Sequence, residues 1–152
     1  MLHQLTPPWL FQVANTAALL GWIWLLVWLI LPDTLRQKTR MVGLLLPLLL
    51  GVLYAAAMLT YFNVSNGGFD TLENVMSLFT RPGMVLAGWV HYLAFDLFVG
   101  WCISRDAVNR RINRLLIIPC LVLTLLFGPV GLLLYAAVRL AQHFVRAAPD
   151  AA

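Results

Sequence analysis

Four long stretches with almost no charge set the limits on what this chain can become. Residues 9–31, 41–69 and 115–138 carry no Asp, Glu, Lys or Arg, and residues 82–103 carry one. A helix crosses a hydrocarbon core of about 30 Å with roughly 20 apolar residues, and each stretch is long enough. The Leu-rich runs lack the alternation of a barrel strand, and in lipid the remaining way to satisfy backbone groups is within a helix. With 62% of 152 residues hydrophobic and 11% charged, too few charged groups remain to cover a water-soluble domain. The expectation is one all-α integral membrane domain over residues 1–152. It is a bundle of four transmembrane helices, at about 10–31, 41–62, 84–103 and 115–138.

The first stretch is too long for a removable signal peptide, no Lys or Arg precedes it, and no small-residue cleavage site follows. It is expected to stay as helix 1. No Arg- and Ser-rich transit peptide is evident, which favours a bacterial inner membrane. Orientation follows the cations: Arg36, Lys38 and Arg40 lie in the first loop, and Arg105, Arg110, Arg111 and Arg114 in the third. Arg81, Arg139 and Arg146 fall on the other side in a four-span arrangement. Seven against three places loops one and three in the cytoplasm and both termini outside. The formal net charge of +4 therefore reports topology and contact with membrane lipid, and gives no support for nucleic-acid binding.

Between the second and third spans, Asn66-Gly67-Gly68 signals a turn. Leu72, Val75, Met76 and Phe79 then follow at i, i+3, i+4 and i+7. Asp70 and Glu73 resemble a capping box, and Arg81-Pro82-Gly83 ends the segment. The pattern predicts a short amphipathic interfacial helix at about 70–81, either a lid over a lipid-facing site or a cover for the bundle end.

Within the spans, Pro47, Pro119 and Pro129 each remove a backbone donor. Phe127-Gly128-Pro129-Val130-Gly131 lies near the middle of the fourth span, so that helix is expected to be kinked or unwound at the bilayer midplane. On helix 1, Ala14-x-x-x-Ala18 and Ala17-x-x-x-Gly21 are small-residue pairs that let another helix approach closely.

Polar groups at membrane depth are the candidates for function, because a charge there is costly unless paired, neutralised or hydrated. Asp96 is the one acidic residue within the four expected spans, inside Trp89-Val90-His91-Tyr92-Leu93-Ala94-Phe95-Asp96-Leu97-Phe98. At about 100° per residue, Trp89, Tyr92 and Asp96 share one stripe, whereas His91 shares a second with Phe95, Phe98 and Cys102. Depth arithmetic puts Asn15, Tyr54 and His91 in an outer polar layer and Asp96 level with Gly128, Pro129 and Gly51 at the midplane. Desolvation favours the protonated Asp96 carboxyl, which can donate a proton or clip the carbonyls freed by Pro129. His91 is either a second acid or base or a packing histidine.

Phe11 to Asn15 with Gly21-Trp22, the Trp89 to Phe98 block, and Phe127 to Gly131 together resemble the membrane-protein family named for the plant abscisic-acid-deficient neoxanthin synthase, which has many bacterial members. The resemblance covers three of the four spans. It implies conversion of an epoxy-carotenoid by an isomerisation that opens an epoxide and forms an allene. Such a step needs a proton donor at the epoxide oxygen and a base for a carbon-bound proton, with no net redox change. On this resemblance His91 and Asp96 match the family's His and Asp positions as catalytic candidates. Asn15, Tyr54, Trp89, Tyr92, Phe95, Gly128 and Pro129 are the expected substrate-binding residues. The ligand is a carotenoid or related apolar isoprenoid entering laterally from lipid, and a homodimer stays open.

A different class, a non-catalytic protein that binds pigment or lipid and partners an enzyme, fits the same features. A lipid hydrolase lacks a matched nucleophile and base, and transport is disfavoured by four spans without an inverted repeat. His3, His91 and His143 lack metal-ligand spacing, so no metal is expected. No nucleotide-binding glycine motif implies a cofactor. Cys102 and Cys120 are expected to be buried thiols, and Asn63-Val64-Ser65 matches a glycosylation sequon that a bacterial setting would leave idle.

Overall fold

The computed structural model describes residues 8–65 and 67–147, so His3 and Asn66 lie outside the described residues. Those residues are helical, without strands: α1 (Pro8–Ile30), α2 (Asp33–Lys38), α3 (Val42–Tyr61), a 3₁₀ turn (Phe62–Val64), α4 (Leu72–Leu78), α5 (Pro82–Asn109), α6 (Arg114–Phe127) and α7 (Pro129–Ala147). Three segments are long and apolar enough to cross a membrane: Pro8–Ile30, Asp33–Tyr61 and Pro82–Asn109.

The break expected near the middle of residues 115–138 is present, and one continuous helix over that stretch is not. Residues 115–138 do not form one helix, because α6 stops at Phe127 and α7 begins at Pro129. Gly128 between them has φ 49° and ψ −101°, a backbone conformation outside the ordinary range of residues with a Cβ. Pro129 suits the first helical position, where its missing N–H costs nothing. The two helices then pack against each other: a Cβ on Gly131 would collide with the Thr124 backbone nitrogen and hydroxyl and with the Cys120 carbonyl. Thr124 and Cys120 lie seven and eleven residues before Gly131, too far along a straight helix for such contact. The chain therefore doubles back, and Pro119 sits inside α6.

The described chain forms two compact units, and α1, α3 and α5 each contribute to both. Unit 1 runs through Leu20 and includes Leu45–Phe95; unit 2 is Gly21–Leu44 and Asp96 onward. In unit 1, Ala14 and Ala18 of α1, Leu50 and Ala57 of α3, Leu78 of α4, and Met84, Ala87 and Val90 of α5 are buried. Ala14 and Ala18, the small-residue pair expected to let another helix approach, are both buried. In α4 the cap is Thr71, whose side-chain oxygen accepts from the Asn74 N–H at 3.2 Å, whereas Asp70 accepts from the Asn74 side-chain amide at 2.8 Å. The expected Asp70–Glu73 capping box is thus corrected by one residue, because Thr71 has the extended backbone a cap requires. Leu72, Met76 and Phe79 of the expected stripe are exposed, and Leu78 instead is buried. Together with exposed Phe69, that outward apolar face suits a helix lying at a lipid interface.

Unit 2 buries Trp22, Leu25, Trp28 and Leu29 along one face of α1, and Leu97, Trp101, Ile103 and Ala107 on two faces of α5. Gly21 lets the Leu97 side chain close against α1. Two indoles secure the α1–α3 connection: Trp28 Nε1 donates to the Arg36 carbonyl and Trp101 Nε1 to the Arg40 carbonyl, each at 3.1 Å. Arg36 is itself buried, donating to the Leu31 carbonyl at 2.8 Å and pairing with Asp33. One cation counted toward topology therefore also closes the end of α1. Arg105 covers the Trp101 ring at 5.3 Å.

Candidate functional site

The expected site residues fall into three clusters. The first is an aromatic cleft in unit 1, a cavity of ≈ 1040 Å³ lined by Phe11 and Gln12 of α1, Phe79 after α4, and Val85, Trp89 and Tyr92 of α5. Trp89 organises it. Its ring stacks on Phe11 with centroids 6.0 Å apart and lies 5.6 Å from Tyr92, and its Nε1–H donates to Asn15 Oδ1 at 3.1 Å. The Asn15 amide in turn donates to the Phe11 carbonyl one turn back. Asn15 thus satisfies the indole and holds its plane, so the rings present apolar faces with few polar groups, the composition of a site for a flat apolar ligand.

The second cluster lies on another face of α5, since residues two apart on a helix point about 200° away from each other. The Tyr54 ring meets His91 edge-on at 5.1 Å, and Phe95 stacks on His91 at 4.6 Å. Tyr54 and His91 are together, as the expected outer layer required. Asn15 makes its contact to Trp89 instead, so that layer is two contacts rather than one. His91 is exposed and is absent from the lining of the aromatic cleft.

The third cluster belongs to unit 2. Asp96 is buried at 8% exposure, and the Cβ position of Gly128 would fall 2.8 Å from its Oδ1 and 3.4 Å from its Oδ2. The carboxyl therefore lies over the break between α6 and α7, beside Gly128. Beside the break, the Thr124 hydroxyl donates to the Cys120 carbonyl at 2.8 Å. His91 and Asp96 fall in different compact units.

A further polar group escaped the sequence reading. Tyr135 of α7 donates to Asp106 Oδ2 at 2.6 Å, Arg110 Nε donates to both carboxylate oxygens at 3.0 and 2.9 Å, and Arg139 Nε stands 3.8 Å away. Asp106 was assigned to a loop, but α5 continues to Asn109 and carries it. Its i, i+4 spacing to Arg110 was the available signal; Tyr135 joins only because α7 turns back.

Among the described residues no group of three or more His, Cys, Asp or Glu is gathered as a metal site requires. Cys120 is a buried free thiol donating to the Leu116 carbonyl, whereas Cys102, expected to be buried, is exposed on α5.

No curated protein and no solved structure matches the chain. A family model does, the ABA4-like model described as ABA DEFICIENT 4-like, over residues 9–135. That match runs from the first turn of α1 into α7 and takes in all three clusters. By this match, the chain belongs to the ABA DEFICIENT 4-like family.

Proposed function

We propose that the chain is a membrane-embedded protein that seats a carotenoid or related apolar isoprenoid in the aromatic cleft and isomerises it by acid/base chemistry without a cofactor. Family membership points to a role related to carotenoid and neoxanthin metabolism. The observation that carries the reading is the cleft, whose Phe11, Trp89 and Tyr92 rings offer stacking faces to a flat polyene end group. Opening an epoxide to an allene moves one proton to oxygen as the C–O bond breaks and removes one from carbon as the new double bond forms. Atoms balance without an oxidant. His91 and Asp96 are the candidate proton carriers on the family resemblance; neither lines the cleft, and each is tested by its own substitution.

In the membrane, the proposed arrangement is three spans plus the folded-back pair α6–α7, in a bacterial inner membrane. The α1–α3 and α5–α6 connections lie on the cytoplasmic side. Arg139 reaches Asp106 near the α5–α6 connection, so the end of α7 belongs to that side as well. This improves the charge partition, leaving Arg81 as the cation on the opposite side.

Expression in a host that accumulates an epoxy-carotenoid, followed by chromatography of its pigments, tests the activity. The expected result is a new pigment of unchanged mass, lost on Asp96→Asn or His91→Ala while the protein stays folded. Product that survives both substitutions overturns the assignment of the proton carriers. The exposure of His91 and its absence from the cleft favour one second reading, a pigment-binding protein without catalysis. Binding alone gives a co-purifying pigment and no new product.

A further inference from the structure

The Asp106 cluster forms one wall of a second cavity, of ≈ 790 Å³, wholly within unit 2. Its two sides differ in chemistry. On α7, Leu132, Ala136 and Leu140 recur at four-residue spacing and give an apolar strip, with Ile103 of α5 beside them. Around the strip stand Arg110, Arg139 and His143, with Asp106 between the two arginines. Two guanidinium groups against one carboxylate leave a net positive charge.

Geometry keeps that charge in place. Asp106 holds Arg110 through a two-point contact from Nε, and the Tyr135 hydroxyl occupies Asp106 Oδ2, so the carboxylate is committed to several donors at once. Arg139 reaches the same oxygen only at 3.8 Å, longer than a hydrogen bond, and its side chain is half-exposed. Arg139 thus lines the cavity without being consumed by the carboxylate. Leu140, one residue on, is 56% exposed, so the apolar strip also faces outward.

A cation at the end of an apolar strip matches one chemistry, an anionic headgroup attached to an apolar tail. The site lies beside the basic turn that follows α5; in the membrane arrangement proposed above, that is the depth at which a bilayer changes from acyl chain to phosphate. We propose that this cavity binds an anionic phospholipid of the surrounding bilayer, with its phosphate at Arg139 and His143 and an acyl chain along Leu132, Ala136 and Leu140. The site is separate from the aromatic cleft and stands whether or not the chain acts on carotenoids.

Native mass spectrometry of the full chain in detergent tests this, by titration with phosphatidylglycerol or phosphatidylcholine of identical acyl chains and, in a third arm, glycerol phosphate. Phosphatidylglycerol is expected to be retained about five-fold more strongly than phosphatidylcholine, the ratio one arginine near an anionic headgroup supplies, and glycerol phosphate not at all. Arg139→Gln should erase the preference, Arg139→Lys should keep most of it, and Arg81→Gln, in unit 1, should leave it unchanged. The Lys variant guards against a folding defect in the Gln variant. Equal retention of the two lipids, retention of glycerol phosphate alone, or an equal loss on Arg81→Gln overturns the proposal.

Discussion

The carboxyl of Asp96 lies against Gly128, with Oδ1 2.8 Å from the point where a side chain on that glycine would begin. One helix ends and the next begins at this contact, so a buried acid and a backbone break occupy the same place in the fold. The glycine is required twice over: its φ of 49° disfavours a Cβ, and the space the Cβ would take is already filled.

Gly128→Ala is therefore expected to destabilise the protein by about 1–3 kcal/mol, from backbone strain and the collision with Asp96 together. Asp96→Ala in the same chain should return the collision part and leave the strain. Gly51 of α3 is the control, since a Cβ there meets nothing within 4 Å. Gly51→Ala should be neutral or stabilising by up to about 1 kcal/mol through helix propensity. Denaturant unfolding of the three variants and the wild type in detergent micelles measures these differences, and equal effects of the two glycine substitutions would contradict the role given to Gly128.

Because α7 folds back on α6, a reporter fused after residue 147 should lie on the same side of the membrane as one inserted in the 110–113 turn. Labelling single cysteines at the two positions with a membrane-impermeant reagent, in a Cys102→Ser, Cys120→Ala background, reads this directly. Opposite accessibility would restore a continuous fourth span.

The turn before α4 predicts a pH effect. The Asn74 side chain donates to Asp70 and holds its carboxyl below the usual carboxylate range. A carboxylate whose folded value is depressed stabilises fully above its unfolded value and loses that contribution as pH falls through the folded one. The Asn74 amide resonance should thus shift with acid below about pH 4, and Asp70→Asn should abolish the shift. Thr71→Ala, by removing the cap, should weaken this turn by about 1 kcal/mol at every pH, read as faster amide exchange at Asn74.

Much of this architecture was legible in the amino-acid sequence, for reasons specific to each element. The spans of α1, α3 and α5 follow from uninterrupted apolar length, and the break at Gly128-Pro129 from two residues that act locally on the backbone. Where the chain goes after the break is not a local property. It depends on Gly131 meeting Thr124 and Cys120, contacts no periodicity encodes. The α4 stripe shows the same division: spacing placed Leu72, Met76 and Phe79 on one face, but burial of Leu78 decided that the face points outward. That Trp89 and Tyr92 share a face was legible from their spacing, whereas the bond from Trp89 to Asn15 required the packing of α1 on α5. Asp106 was missed because the end of the apolar run was taken as the end of the helix, while its ion pair to Arg110 carries α5 further.

The aromatic cleft carries the functional proposal, and visible absorption of the purified protein tests it most directly. Purified from membranes rich in carotenoid, the chain should carry polyene absorption. Trp89→Ala should lose it, and Phe127→Ala, at an exposed position in unit 2, should keep it. A colourless wild-type protein, or pigment retained to the same extent by Trp89→Ala, would contradict a carotenoid seated in this cleft.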